Sequence, residues 1–95
     1  MTKKELRKEI IKGIKHLCRE ENKKDSKFNH TYSCNRWQEH GKDRLYINRS
    51  NGRNDKTMGY IDLNNIDFSN LKVPAGKMYS GIKSMKKQIK EMEVN

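Results

Sequence analysis

Apolar residues recur along this chain at three different spacings, and each spacing predicts a different kind of element. From Thr2 to about Glu21, Leu6, Ile10, Ile14, Leu17 and Cys18 return at steps of three and four, with Ile11 at the edge of their face. That is the period of an amphipathic helix. Thr2 and Glu5 have the spacing of a capping box, which satisfies two backbone N–H groups left open at a helix start. Glu21 to Lys27 holds no apolar residue and has Asn22, Asp25 and Ser26 as breakers, so an exposed loop is expected there.

The period then shortens. Phe28, Thr31, Tyr32 and Trp37 predict a first strand from Phe28 to about Gln38, and Gly41-Lys42-Asp43 a turn. Arg44 to Asn48 reads as a second strand and Thr57 to Leu63 as a third, joined by a loop from Arg49 to Lys56. Asn51-Gly52 in that loop is a hairpin signal, because both residues tolerate the positive φ of tight turns. Strand alternation puts Leu45 and Ile47 on one face, and Gly59, Ile61 and Leu63 together on one face of the next strand. Tyr46, Met58, Tyr60 and Asp62 are then expected to point the other way.

Asn64 to Val73 is irregular, with Ile66, Phe68, Leu71 and Val73 as anchors under the sheet edge. Pro74 marks the approach to a last helix. Ala75, Met78, Ile82, Met85, Ile89 and Met92 form its narrow seam, expected to pack on the sheet. Gly76 and Gly81 weaken its start, which predicts regular helix only from Ser80. The expected fold is one small basic α+β domain over residues 1–95: an N-terminal helix, a three-stranded antiparallel sheet and a C-terminal helix. Double-stranded-RNA-binding domains share that order, but their characteristic residues are not found here, so the likeness is architectural.

Charge adds a direction to this picture. The chain carries 22 basic and 12 acidic residues, a net +10. Residues 1–35 hold 10 basic and 5 acidic residues, residues 36–75 hold 7 and 5, and residues 76–95 hold 5 and 2. The excess therefore sits mainly on the terminal segments. At about 100° per residue, Lys4, Lys8, Lys12, Lys15 and Arg19 share an arc roughly 80° wide, apart from Glu5, Glu9, His16 and Glu20. Lys83, Lys86, Lys87 and Lys90 make a second stripe. Such stripes suit a polyanion. They equally suit a solvated surface, or ion pairs along the helix with Glu5 and Glu9. If the helices cover the Leu/Ile face, Trp37, Tyr46 and Tyr60 lie open beside Arg44, Arg36 or Arg49, the composition of a base-stacking platform. Cross-strand aromatic pairs that merely stabilise the sheet have the same composition.

Candidates for catalysis are sparse. His16 and Cys18 point nearly opposite ways on a helix, and His30 and Cys34 lie about 13 Å apart on a strand, too far to share a metal ion. A Cys18–Cys34 disulfide is not expected in a cytosolic chain. Glu39, Asp43, Asp55, Asp62 and Asp67 are scattered, and nothing orients His40 as a base. No catalytic residue, metal or cofactor is expected. No run approaches the roughly 20 apolar residues of a membrane span, and Met1 to Glu5 lacks a signal peptide's apolar stretch, so no membrane partner and a cytoplasmic location are expected.

Trp37, the run Gly41-Lys42-Asp43-Arg44-Leu45-Tyr46-Ile47-Asn48, Gly52 and Gly59-Tyr60-Ile61-Asp62-Leu63 resemble a short module of bacterial proteins that carry a nuclease-related domain. In that pattern a Trp precedes Tyr-Gly-Lys-Asp-Arg-Leu-Tyr, an Asp-Gly or Asn-Gly turn, and Gly-Tyr-x-Asp-Leu. Here His40 stands for the Tyr, and Asn64-Asn65 for an expected Thr-Gly. The resemblance covers residues 36–63 and implies an accessory hairpin in a nucleic-acid setting. The nuclease's carboxylates and lysine have no counterpart.

The leading expectation is a non-catalytic module that binds DNA or RNA. Lys8, Lys12, Lys15, Arg19, Lys83, Lys86, Lys87 and Lys90 would contact phosphates, with Arg36, Trp37, Arg44, Tyr46 and Tyr60 positioning or stacking bases. The alternative is an inhibitor from a phage or other mobile element that binds a host defence nuclease or nucleoprotein, such as a CRISPR effector.

Overall fold

The structure is a computed structural model that describes residues 1–23, 31–73 and 76–92. The expectations at Phe28, His30, Pro74 and Ala75 and most of the Glu21–Lys27 loop fall outside those residues. The order is α1 (Lys3–Asn22), β1 (Thr31–Glu39), β2 (Lys42–Ser50), β3 (Asp55–Asp62) and α2 (Lys77–Glu91). The strands form one antiparallel sheet in the order β1-β2-β3. This is the α+β arrangement that the apolar spacings predict.

Helix α1 begins as the capping box requires. Thr2 Oγ1 accepts from the Glu5 N–H at 3.2 Å, and the Thr2 N–H donates to Glu5 Oε1 at 3.4 Å. Its apolar stripe, Leu6, Ile10, Ile14 and Cys18, is buried. The helices lie on one face of the sheet, over Leu45, Ile47, Ile61 and Leu63, and all of these share one core with Phe68, Met78 and Ile82. Gly13 backs onto Met85, and Gly81 onto Leu17, so closely that a Cβ at either glycine would overlap its neighbour. These contacts set α2 antiparallel alongside α1. Helix α2 starts at Lys77 rather than Ser80, and the close approach at Gly81 is what that glycine permits.

Two turns differ from expectation. The β1–β2 turn is His40-Gly41, with φ of 52° and 75°. Positive φ at both central residues is the tightest hairpin geometry, and it leaves Lys42 and Asp43 in β2. Asn51-Gly52 does join β2 to β3, but as a four-residue loop. There Asn51 Oδ1 accepts from the Arg53 and Asn54 N–H groups at 3.0 and 2.8 Å.

Met58 is the third correction. The β2–β3 register shifts between Tyr46 and Asn48, so Met58 and Gly59 together oppose Ile47. This bulge turns Met58 into the core, where it is 4 % exposed, and restores alternation at Tyr60 and Ile61. Gly59, with φ of 101°, takes the bulge position. Beyond β3, the Lys72 N–H donates to the Met58 carbonyl at 2.7 Å, and the 67–72 segment covers the outer edge of β3. No helix among the described residues is long and apolar enough to cross a membrane.

Candidate nucleic-acid interface

The open sheet face carries Trp37, Arg44, Tyr46 and Tyr60 because their neighbours Leu45, Ile47 and Ile61 point under the helices. Register sets Trp37 opposite Arg44 and Tyr46 opposite Tyr60. The Arg44 guanidinium lies 4.2 Å from the Tyr60 ring centroid and 5.6 Å from that of Trp37, and it donates to Tyr46 Oη at 3.1 Å. Tyr46 and Tyr60 pack at 5.3 Å, and Trp37 meets Tyr46 edge-on at 6.4 Å. Cation–π attraction and the hydrogen bond hold these four groups as one unit. Charge on this face cancels: Glu39 stands opposite Lys42, and Asp62 opposite Arg44. The Asp62 carboxyl is held below its usual range by hydrogen bonds from Asn65 and Asn64, so it stays anionic.

Arg36 does not join them. Its position in β1 is one step from Trp37, which turns it to the helix side of the sheet. There its Nε and Nη2 donate to Asp43 Oδ1 and Oδ2 at 2.9 and 2.7 Å. Asp43 is the one buried acidic residue among the described residues, 6 % exposed. The Arg36 hydrogen bonds hold its carboxyl below the usual range against the opposing effect of burial. Arg49 also takes the helix-side alternation, beside Lys56 and Lys72 rather than beside the aromatics.

The two helical stripes are each assembled, but apart from one another. Lys8, Lys12, Lys15 and Arg19 surround Ile11 on α1. Lys83, Lys86, Lys87 and Lys90 surround Ser80 and Ser84 on α2. With Gly13 and Gly81 at the helix contact, about 100° per residue turns the stripes toward opposite outer flanks. Between the helices runs a groove of about 330 Å³ lined by Glu9, Lys12, His16, Arg19, Met85 and Ile89, so two members of the α1 stripe reach its rim. Both stripes also lie across the sheet from the aromatic face. Glu5 is engaged with Thr2, and no ion pair engages any of the eight stripe residues among the described residues.

Cys18 and Cys34 meet between α1 and β1, with the Cys18 thiol donating to Cys34. That bond, aided by Lys15, brings the Cys34 thiol down to about 7, while the same bond and burial push Cys18 up. Iodoacetamide is therefore expected to alkylate Cys34 at a lower pH than an ordinary thiol and to reach the buried Cys18 only on unfolding. Peptide mapping across pH reads both sites, and equal labelling of the two in the folded protein would refute the assignment. Among the described residues no group of three or more His, Cys, Asp or Glu side chains is placed to hold a metal ion.

Lys72 and the exposed Tyr79 lie beside the α2 stripe; Tyr79 stands four and seven residues before Lys83 and Lys86 on the same helix, whereas no sequence period links Lys72 to it. Tyr79 is missed because regular helix is expected only from Ser80, one residue beyond it, and Lys72 because it lies in the irregular segment, where spacing carries no directional signal. Comparison of the chain with protein-family profiles, with curated proteins and with solved structures finds no match.

Proposed function

We propose that this chain is a non-catalytic nucleic-acid-binding module that works chiefly through phosphate contacts. The observation that carries the reading is the pair of helical stripes, Lys8, Lys12, Lys15 and Arg19 on α1 and Lys83, Lys86, Lys87 and Lys90 on α2, with no carboxylate partner among the described residues. Like charges three and four apart on a helix cost about 0.2–0.5 kcal/mol per pair. Of the acidic side chains within helical reach of the α1 stripe, Glu5 is committed to the N-terminal cap, and Glu9 makes no ion pair with it among the described residues. A polyanion relieves that repulsion and releases its own counterions on binding. The resemblance of residues 36–63 to a nuclease-associated module is in keeping with such a setting.

Four phosphate contacts give a salt slope of about −3.6, so affinity should fall about a hundredfold between roughly 50 and 200 mM salt. Fluorescence anisotropy with labelled single- and double-stranded DNA and RNA measures this. Lys→Ala changes on the stripe that the phosphates occupy should flatten the slope by about 0.9 per residue. Salt-independent binding would exclude the reading.

One observation favours a second reading, a mobile-element inhibitor of a host defence nuclease. The open face is rich in Trp, Tyr and Arg, the side chains that dominate protein-interface energetics, and its charges cancel. The same titration separates the readings: no binding of any polynucleotide at about 50 mM salt, despite the net +10, transfers the open face to a protein partner.

A further inference from the structure

Three shallow depressions on the flank beyond β3 share their walls. Arg49, Lys56 and Lys72 line the first, next to the β2–β3 hairpin. Lys72 continues into the second, with Lys83, Lys86 and Tyr79 over a floor of Phe68, Leu71, Val73 and Ile82. Lys83 and Lys86 continue into the third, with Lys87 and Lys90. No carboxylate lines any of them among the described residues. The result is an unbroken cationic track from the hairpin across the 68–73 segment onto α2. At its middle Tyr79 is 48 % exposed, and the Lys86 ammonium lies 6.0 Å from the Phe68 ring centroid.

We infer that this track seats a single polynucleotide strand, with phosphates on the Lys and Arg side chains and a base stacked on Tyr79. The inference rests on the nucleic-acid reading above and names the strand form and the path. An exposed aromatic among cations over an apolar floor matches unpaired bases, which offer a π-face that a duplex keeps stacked inside. Among the described residues no Phe, Tyr or Trp lines the α1 stripe, and its Lys12 and Arg19 also edge the groove that holds Glu9. The track's geometry depends on the bulge in β3. Gly59 lets the Asn70 carbonyl approach, and the Lys72–Met58 hydrogen bond fixes the lysine common to two depressions.

The test compares two variants of equal charge change. Lys72→Glu with Lys83→Glu alters the track, and Lys12→Glu with Arg19→Glu alters α1. Each takes the net charge down by the same amount at exposed positions, and thermal melts confirm folding. Anisotropy with labelled 20-nucleotide single-stranded DNA, single-stranded RNA and duplex DNA gives the readout. The track variant should lose single-strand affinity at least tenfold more than the α1 variant. Tyr79→Ala should lose about five- to hundredfold in single-strand affinity with an unchanged salt slope. The DNA and RNA strands tell which sugar is preferred. Tighter duplex than single-strand binding, or equal losses in the two charge variants, overturns the track and leaves the broader reading intact. Absence of binding to all three probes overturns both.

Discussion

Gly59→Val is expected to leave much of the chain unfolded. Gly59 has φ of 101°, and a Cβ there would overlap the Asn70 carbonyl oxygen. A β-branched residue at positive φ costs about 1–3 kcal/mol, and overpacking against backbone adds about 1–3 more. Native domains have only about 5–15 kcal/mol in total, and a chain this short lies toward the lower end. The Asn70 carbonyl has little room to retreat, because the Lys72 N–H is tied to Met58 and Leu71 bridges to Gly59. Yielding would strip the cover from β3 and expose its edge. Gly52→Ala is the control: φ there is 87°, but the space is open, so only backbone strain of about 1–2 kcal/mol is added. Urea melts followed by circular dichroism measure both. Equal losses at the two positions would refute the account of Gly59.

The elements that sequence spacing predicts correctly are those whose apolar period runs uninterrupted. Leu6, Ile10, Ile14 and Cys18 are all buried as the α1 stripe requires, and Leu45 and Ile47 as β2 requires. Met58 breaks the rule because a bulge inserts one residue and inverts alternation on one side of it. The bulged residues pair with the segment downstream, where the Lys72 N–H meets the Met58 carbonyl and Leu71 bridges to Gly59, outside any local window. The tight turn is hidden for a related reason. Asn-Gly is the stronger signal for positive φ, yet His40 adopts it because nine residues of β1 pair in register with β2 and leave two for the connection.

The candidate site divides in the same way. Helical geometry alone separates the basic and acidic arcs of α1, but the groove beside α2 is lined by Lys12 and Arg19 together with Glu9 and His16. Alternation likewise predicts that Trp37, Tyr46 and Tyr60 share a face. The relation between those surfaces is tertiary. Each helical stripe turns outward because Gly13 and Gly81 bring the helices together along their other sides. Lys72 joins Lys83 only through the strand-edge contact of the 67–72 segment. A strand lying on the stripes therefore cannot at the same time stack on Trp37 or Tyr46 without wrapping around the sheet.

Arg36→Ala is expected to cost about 2–3 kcal/mol at neutral pH while leaving polynucleotide affinity unchanged. Breaking a fully buried ion pair costs about 3–5 kcal/mol, because the remaining charge loses its partner. Here Asp43 is buried but the Arg36 side chain is 37 % exposed, which puts the loss below that range. The pH dependence identifies the cause. In the native protein Arg36 lowers the Asp43 carboxyl, so the stabilisation is complete above about pH 4 and is lost as pH falls through the lowered value. In Arg36→Ala the largest lowering influence is gone, while burial still raises the carboxyl and Arg7 pulls it down more weakly. The variant's penalty is then present at neutral pH and relieved as acid protonates Asp43. The stability gap between the two proteins should narrow from pH 7 toward about pH 4, read by urea melts at each pH. An unchanged gap would mean that the carboxylate is not the group left stranded. A loss of affinity in the still-folded variant would return Arg36 to the binding surface, against the bidentate pairing that holds it on the other side of the sheet.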